Sequence, residues 1–157
     1  MKTIDSYITE KLKINKNTVS KSTVYNYHPK DREKLKILLR KLLEERGKDA
    51  DLNDIDVSGI TDMAYLFNGL DPHNIDISEW NVSNAKDMDR MFYNCKNFNS
   101  DLSDWDVSNV EDMYAMFAGC KKFDSDLSNW NVYKVDVMVA MFRECPSLKN
   151  IPSWYHD

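Results

Sequence analysis

Phe98-Asn99-Ser100-Asp101-Leu102-Ser103-Asp104-Trp105-Asp106-Val107-Ser108-Asn109-Val110-Glu111-Asp112-Met113-Tyr114-Ala115-Met116-Phe117-Ala118-Gly119-Cys120 decides the fold, because its pattern returns 25 residues to either side. Leu102 belongs to a column with Leu52, Ile77 and Leu127, and Val107 to one with Val57, Val82 and Val132. Phe117 repeats unchanged as Phe67, Phe92 and Phe142. Trp105 aligns with Ile55, Trp80 and Trp130, and the same step reaches Tyr155. Met113, Met116 and Cys120 belong to three further columns, which run from Met63, Leu66 and Leu70 to Met138, Met141 and Cys145. So many columns holding one register identify a tandem repeat, each unit of which cannot bury its apolar face alone. Stacking turns every column into a continuous ladder.

Each unit divides into two halves. Val110, Met113, Met116, Phe117 and Cys120 follow the spacing of one helical face. Ser108, with Glu111 three places on, has the form of a capping box, and Gly or Asn at 69, 94 and 119 suits a helix end. The other half, Leu102 to Val107, is extended, with Trp105 and Val107 on one side. The expected fold is a right-handed α/β repeat solenoid of leucine-rich-repeat-like type, with stacked short strands and one short helix per 25-residue unit. Its parts are a basic arm at 1–22, a strand–helix cap at 23–50, four repeats at 51–150 and a half-repeat cap at 151–157. Leu35, Leu38, Leu39, Leu42 and Leu43 give the cap an amphipathic helix, opened by Asp31 and stopped by Gly47.

The run from Phe98 to Cys120 resembles the BspA-type leucine-rich repeat of bacterial surface proteins, and the likeness extends over about residues 23–155, including His28-Pro29-Lys30. It implies adhesive or protein-binding roles and brings no catalytic residue with it. The amino terminus lacks the continuous apolar stretch of a signal peptide, and the repeats are few. The expectation is therefore a cytoplasmic, bacterial or phage-encoded binder or inhibitor of a host protein.

Chemistry points the same way. The three histidines do not recur in register, and no phosphate-binding glycine loop, His-Glu-x-x-His or nucleophile elbow is present. The three cysteines stand 25 apart and suggest neither disulfides nor a zinc knuckle. The chain is expected not to be an enzyme and to need no cofactor or metal. Two aspartate columns, Asp51/Asp76/Asp101/Asp126 and Asp56/Asn81/Asp106/Asn131, carry two readings: calcium between coils, or turns in which the side chain bonds local amides. The scarcity of glycine favours the turns.

The partner surface is sought where the units differ. Outward positions on the expected helices hold Tyr65 and Asn68, Arg90 and Tyr93, Ala115 and Ala118, and Ala140 and Arg143. Asp54, Glu79, Asp104 and Asn129 form an outward stripe on the extended halves. Tyr65, Arg90, Tyr93 and that stripe are the candidate partner-binding residues. Two alternatives remain. Residues 1–50 hold thirteen basic and seven acidic groups, against eight and nineteen in the rest, so the basic arm could contact nucleic acid. The chain could also self-associate within a larger assembly.

Overall fold

A computed structural model describes residues 24–157; the basic arm expected at 1–22 and Thr23 of the cap lie outside them. The chain enters along the first coil. Tyr27 pairs in parallel with Ile55, and the Asp56 amide donates to the Tyr27 carbonyl at 2.9 Å. Helix α1 follows at Arg32–Arg46. Asp31 caps it, its carboxylate accepting from the Lys34 amide at 2.9 Å, and the Gly47 amide closes the last turn on the Leu43 carbonyl. Leu35, Leu39, Leu42 and Leu43 are buried against the first coil, which covers one end of the apolar ladder.

The coils then lie side by side, linked by isolated parallel bridges rather than continuous strands. One column of bridges runs Asp62, Asp87, Asp112, Val137. The expected helix in each unit is absent: α1 is the only helix among the described residues. Where helices were expected, the chain makes consecutive tight turns. The Leu66 amide bonds the Met63 carbonyl, Asn68 bonds Tyr65, and Leu70 bonds Phe67. Tyr65 and Gly69 are left-handed (φ 56° and 79°), as are Arg90 and Asn94, Ala115 and Gly119, and Ala140 and Glu144. Alternate amides leave the coil altogether: Met63, Tyr65 and Phe67 donate to the carbonyls of Asp87, Asp89 and Met91 at 2.8–2.9 Å. A run of turns brings every third or fourth residue inward, as a helix does, so the apolar spacing is the same for both. Left-handed backbone costs a non-glycine residue about 1–2 kcal/mol, and the bonds to the next coil offset it.

This geometry revises the expected caps. Ser108 caps no helix; its amide and hydroxyl both donate to Asp106 Oδ1, at 3.0 and 2.6 Å. Gly69, Asn94 and Gly119 close turns instead of helices. Both aspartate columns accept amides two residues on, as in Asp76 to Ser78, Asp101 to Ser103 and Asp126 to Ser128.

Inside, the columns stack as aromatic piles. Phe67, Phe92, Phe117 and Phe142 lie nearly parallel at centroid distances of 5.0, 5.5 and 5.8 Å. Trp80 stacks on Trp105 and Trp130 on Trp154, each at 6.3 Å. Trp154, one place earlier than Tyr155, thus completes the tryptophan column, and Tyr155 meets Phe142 edge-on. Each indole donates to a carbonyl of the preceding coil: Trp80 to Leu52, Trp105 to Ile77, Trp130 to Leu102 and Trp154 to Leu127, all at 2.9 Å. The thiols behave alike, Cys120 reaching Phe92 and Cys145 reaching Phe117. Tryptophan and cysteine suit these columns because each brings apolar bulk and a donor. Among the described residues no buried side-chain polar atom lacks a partner.

Candidate functional site

The two sets of candidate residues fare differently. In the stripe on the extended halves, Glu79, Asp104 and Asn129 are exposed. Asp54 is not an open member of it. Arg46 of α1 grips its carboxylate through both terminal nitrogens at 2.8 and 3.0 Å, and Asn26 adds a bond at 2.9 Å. The Arg46 hydrogen bond is the main cause holding Asp54 down at a pKa of about 2. Asp54 therefore fastens the cap to the first coil, and the stripe that faces solvent starts at Glu79.

On the turn face, Tyr65, Arg90 and Tyr93 come together. Arg90 Nη1 donates to the Tyr65 hydroxyl at 2.6 Å and to Asp89 at 3.0 and 3.1 Å. Its guanidinium lies 5.3 Å from the Tyr65 ring centroid and 4.3 Å from that of Tyr114. A guanidinium held over two rings keeps its charge while losing little further freedom on binding. Asp89 beneath it is partly buried; burial raises its pKa against the pull of Arg90.

Beyond Arg90 the surface dips. A depression of about 200 Å³ is lined by Arg90, Tyr93, Tyr114 and Arg143, with Ala115, Ala118 and Gly119 among its residues. The sequence pattern placed Ala115 and Ala118 outward on a helix; on the turns they are 3% and 4% exposed, below the taller side chains of the neighbouring coils. Tyr114 was missed because helical spacing turns it away from Arg90. Period-two alternation, which governs chains paired side by side, would have placed Tyr114 between Asp89 and Val139. Gly119 is required twice over. Its φ is 79°, and a Cβ there would overlap Asn94 Oδ1.

A further acidic column, Asp62, Asp87 and Asp112, also escaped the sequence reading. Its carboxylates accept the amides of Ala64, Asp89 and Tyr114 at 2.8–2.9 Å, so it repeats the turn chemistry of the other two. Burial, reinforced by the charges of Asp62 and Asp112, raises the pKa of Asp87. Among the described residues no three His, Cys, Asp or Glu side chains converge as metal ligands would. None of the described helices is long and apolar enough to cross a membrane.

A helix-capped stack of coils that repeats one apolar pattern every 25 residues defines a tandem-repeat protein. The chain belongs to the family described as Mycoplasma protein of unknown function, DUF285, which matches residues 38–154. That span runs from within α1 to Trp154, the last member of the tryptophan column. No significant match was found among curated proteins or among solved structures.

Proposed function

We propose that this chain is a non-enzymatic protein-binding module, a leucine-rich-repeat-like solenoid of BspA-like type that meets its partner with the turn face around Arg90. The family match is consistent with BspA-like repeats. The observation that carries the reading is the clustering of Tyr65, Arg90, Tyr93 and Tyr114 on one outward face of a stack whose inner columns barely change. Tyrosine and arginine are the residues that dominate interface energetics, and here the arginine is ordered before any partner arrives. The exposed acidic residues Glu79 and Asp104 would steer a basic partner from a distance, with an on-rate that falls as salt rises. The role fits a cytoplasmic bacterial or phage-encoded binder.

The test is differential capture from a bacterial lysate, with the whole chain and a Tyr65→Ala/Arg90→Ala/Tyr93→Ala variant of matched melting temperature. A protein retained by the first and lost from the second supports the reading. Equal capture by both removes the turn face from consideration.

Self-association is a second reading, favoured by the last coil, where Tyr133, Val139 and Ile151 are 93%, 53% and 63% exposed. Light scattering across a hundredfold range of concentration separates it from a monomeric binder. Nucleic-acid contact through the basic arm would show as salt-dependent heparin retention, lost when residues 1–22 are removed.

A further inference from the structure

We infer that the depression between Arg90 and Arg143 holds one carboxylate of the partner, an aspartate or glutamate side chain or a chain terminus carried by an otherwise basic segment. The inference rests on the protein-binding reading and names the chemistry of what is bound.

Charge is the first argument. Beyond residue 50 the chain carries eight basic and nineteen acidic groups, yet two of those eight line this one depression. The one carboxylate among the lining residues, Glu144, is bound by Lys121 at 2.9 Å. With Asp89 on Arg90 and Glu144 on Lys121, the three basic groups Arg90, Lys121 and Arg143 still outnumber the two acidic ones, a local sign opposite to that of the surrounding stack, which would repel a carboxylate elsewhere.

Donor geometry is the second. Every side-chain hydrogen bond that Arg90 makes among the described residues goes through Nη1. The Nε–Nη2 edge makes none, and that edge offers two parallel donors matched to the two oxygens of a carboxylate. The bonds of Nη1 to Tyr65 and Asp89, with the Tyr114 ring centroid 4.3 Å from the guanidinium carbon, hold the group in place.

Shape is the third. Arg90 and Arg143 stand on the coils either side of the one that carries Ala115 and Ala118, Arg90 in the column of Ala115 and Arg143 in that of Ala118, so they face each other diagonally across at least two strand spacings, roughly 10 Å. Corresponding positions on the other units hold Tyr65 and Asn68, Arg90 and Tyr93, and Ala140 and Arg143, so only the third unit is reduced to alanine at both places. The result is a gap of side-chain size between two cations, with Tyr93 and Tyr114 to cover an aliphatic stem or a ring.

The experiment uses N-acetylphenylalanine, which bears a carboxylate, and its neutral amide, titrated into isotope-labelled full-length chain. The expected result is saturable shifts of the Ala115 and Ala118 methyls and the Gly119 amide with the acid. Affinity should fall at least fivefold for the neutral amide and at least fivefold in Arg143→Ala. Ala118→Leu, which fills the gap without touching charge, should abolish the shifts. If its spectrum shows misfolding, Ala118→Val serves instead. Equal affinity for acid and amide, shifts confined to other sites, or an unchanged Arg143→Ala would overturn the inference. The outcome is separable from that of the proposed function. A captured partner lost in the Tyr65/Arg90/Tyr93 variant but kept by Arg143→Ala and Ala118→Leu leaves protein binding standing and removes the carboxylate.

Discussion

Asp54 illustrates how much a single side chain can change role between sequence and structure. By its column it is an outward acid; by its partners it ties α1 to the first coil. Its pKa is depressed to about 2, chiefly by the hydrogen bond from Arg46. A depressed carboxylate pKa stabilises the fold above the ordinary range near 4, and that stability is lost as pH falls from about 4 towards 2. With both partners partly exposed, the contribution at neutral pH is about 1 kcal/mol. Asp54→Asn should therefore lower the urea midpoint at pH 7, and the gap to wild type should close by pH 2. A gap that is constant with pH would show that the carboxylate charge is not what Arg46 holds. Asp87 and Asp89, whose pKa values burial raises, act with the opposite sign, so the comparison with the variant is what isolates Asp54. The thiols give a second test. Burial pushes Cys95 up to about 12 and Cys145 to about 11, and raises Cys120 as well. At pH 8 native labelling should be slow throughout and fastest at Cys145, the only one of the three not fully buried. Rapid modification of Cys120 without unfolding would contradict its place in the stack.

Elements, not columns, are where sequence and structure part company. The inward columns were legible because burial imposes the same residue type at the same place in every coil: Phe67, Phe92 and Phe117 are wholly buried. So was α1, whose cap, apolar face and stop are local signals. The turn halves were misread as helices for a definite reason. Met63, Leu66, Phe67 and Leu70 point inward in both conformations, and what distinguishes them is the bonding of amides to a coil 24 residues away. Window-by-window periodicity contains no trace of that partner. The candidate site inherited the error: Tyr65, Arg90 and Tyr93 were found because the units differ there, whereas Tyr114 and the sunken alanines depend on knowing the turns. Gly119 offers the corresponding test. Gly119→Ala meets both a left-handed backbone and the Asn94 side chain, and should cost about 1–3 kcal/mol. Gly59→Ala, with nothing within 4 Å of the added carbon, should stay within about 0.5 kcal/mol. Equal melting temperatures for the two would argue for helices after all.

At the scale of the whole molecule, the aromatic piles run through every coil, so stability should be shared and unfolding cooperative. Phe117 contacts Phe92, Phe123, Trp130 and Phe142, and sits at the centre of the stack. Phe117→Ala should cost about 3–5 kcal/mol. It should lower the single urea transition seen by both tryptophan fluorescence and circular dichroism. Tyr65→Ala, on the exposed side, should cost no more than about 1 kcal/mol. Two separated transitions in the Phe117 variant would mean that the coils before and after it fold independently. Burial thins towards the last unit, where Val132, Val135, Met138 and Phe142 are only partly covered, so fraying should begin there.

The indoles and thiols all donate backwards, each to a carbonyl one coil earlier, while the turn amides donate forwards by a nearly constant 24 residues. The junctions between the four repeats thereby carry the same set of bonds. A gene encoding such a chain can gain or lose a whole 25-residue cassette by unequal crossing-over without writing a new interface. What changes with each such event is distance, since Arg90 and Arg143 keep their spacing only if the coil between them is neither doubled nor deleted. Lineages that lengthen the stack elsewhere would keep the depression, and those that lengthen it between these two arginines would pull it apart.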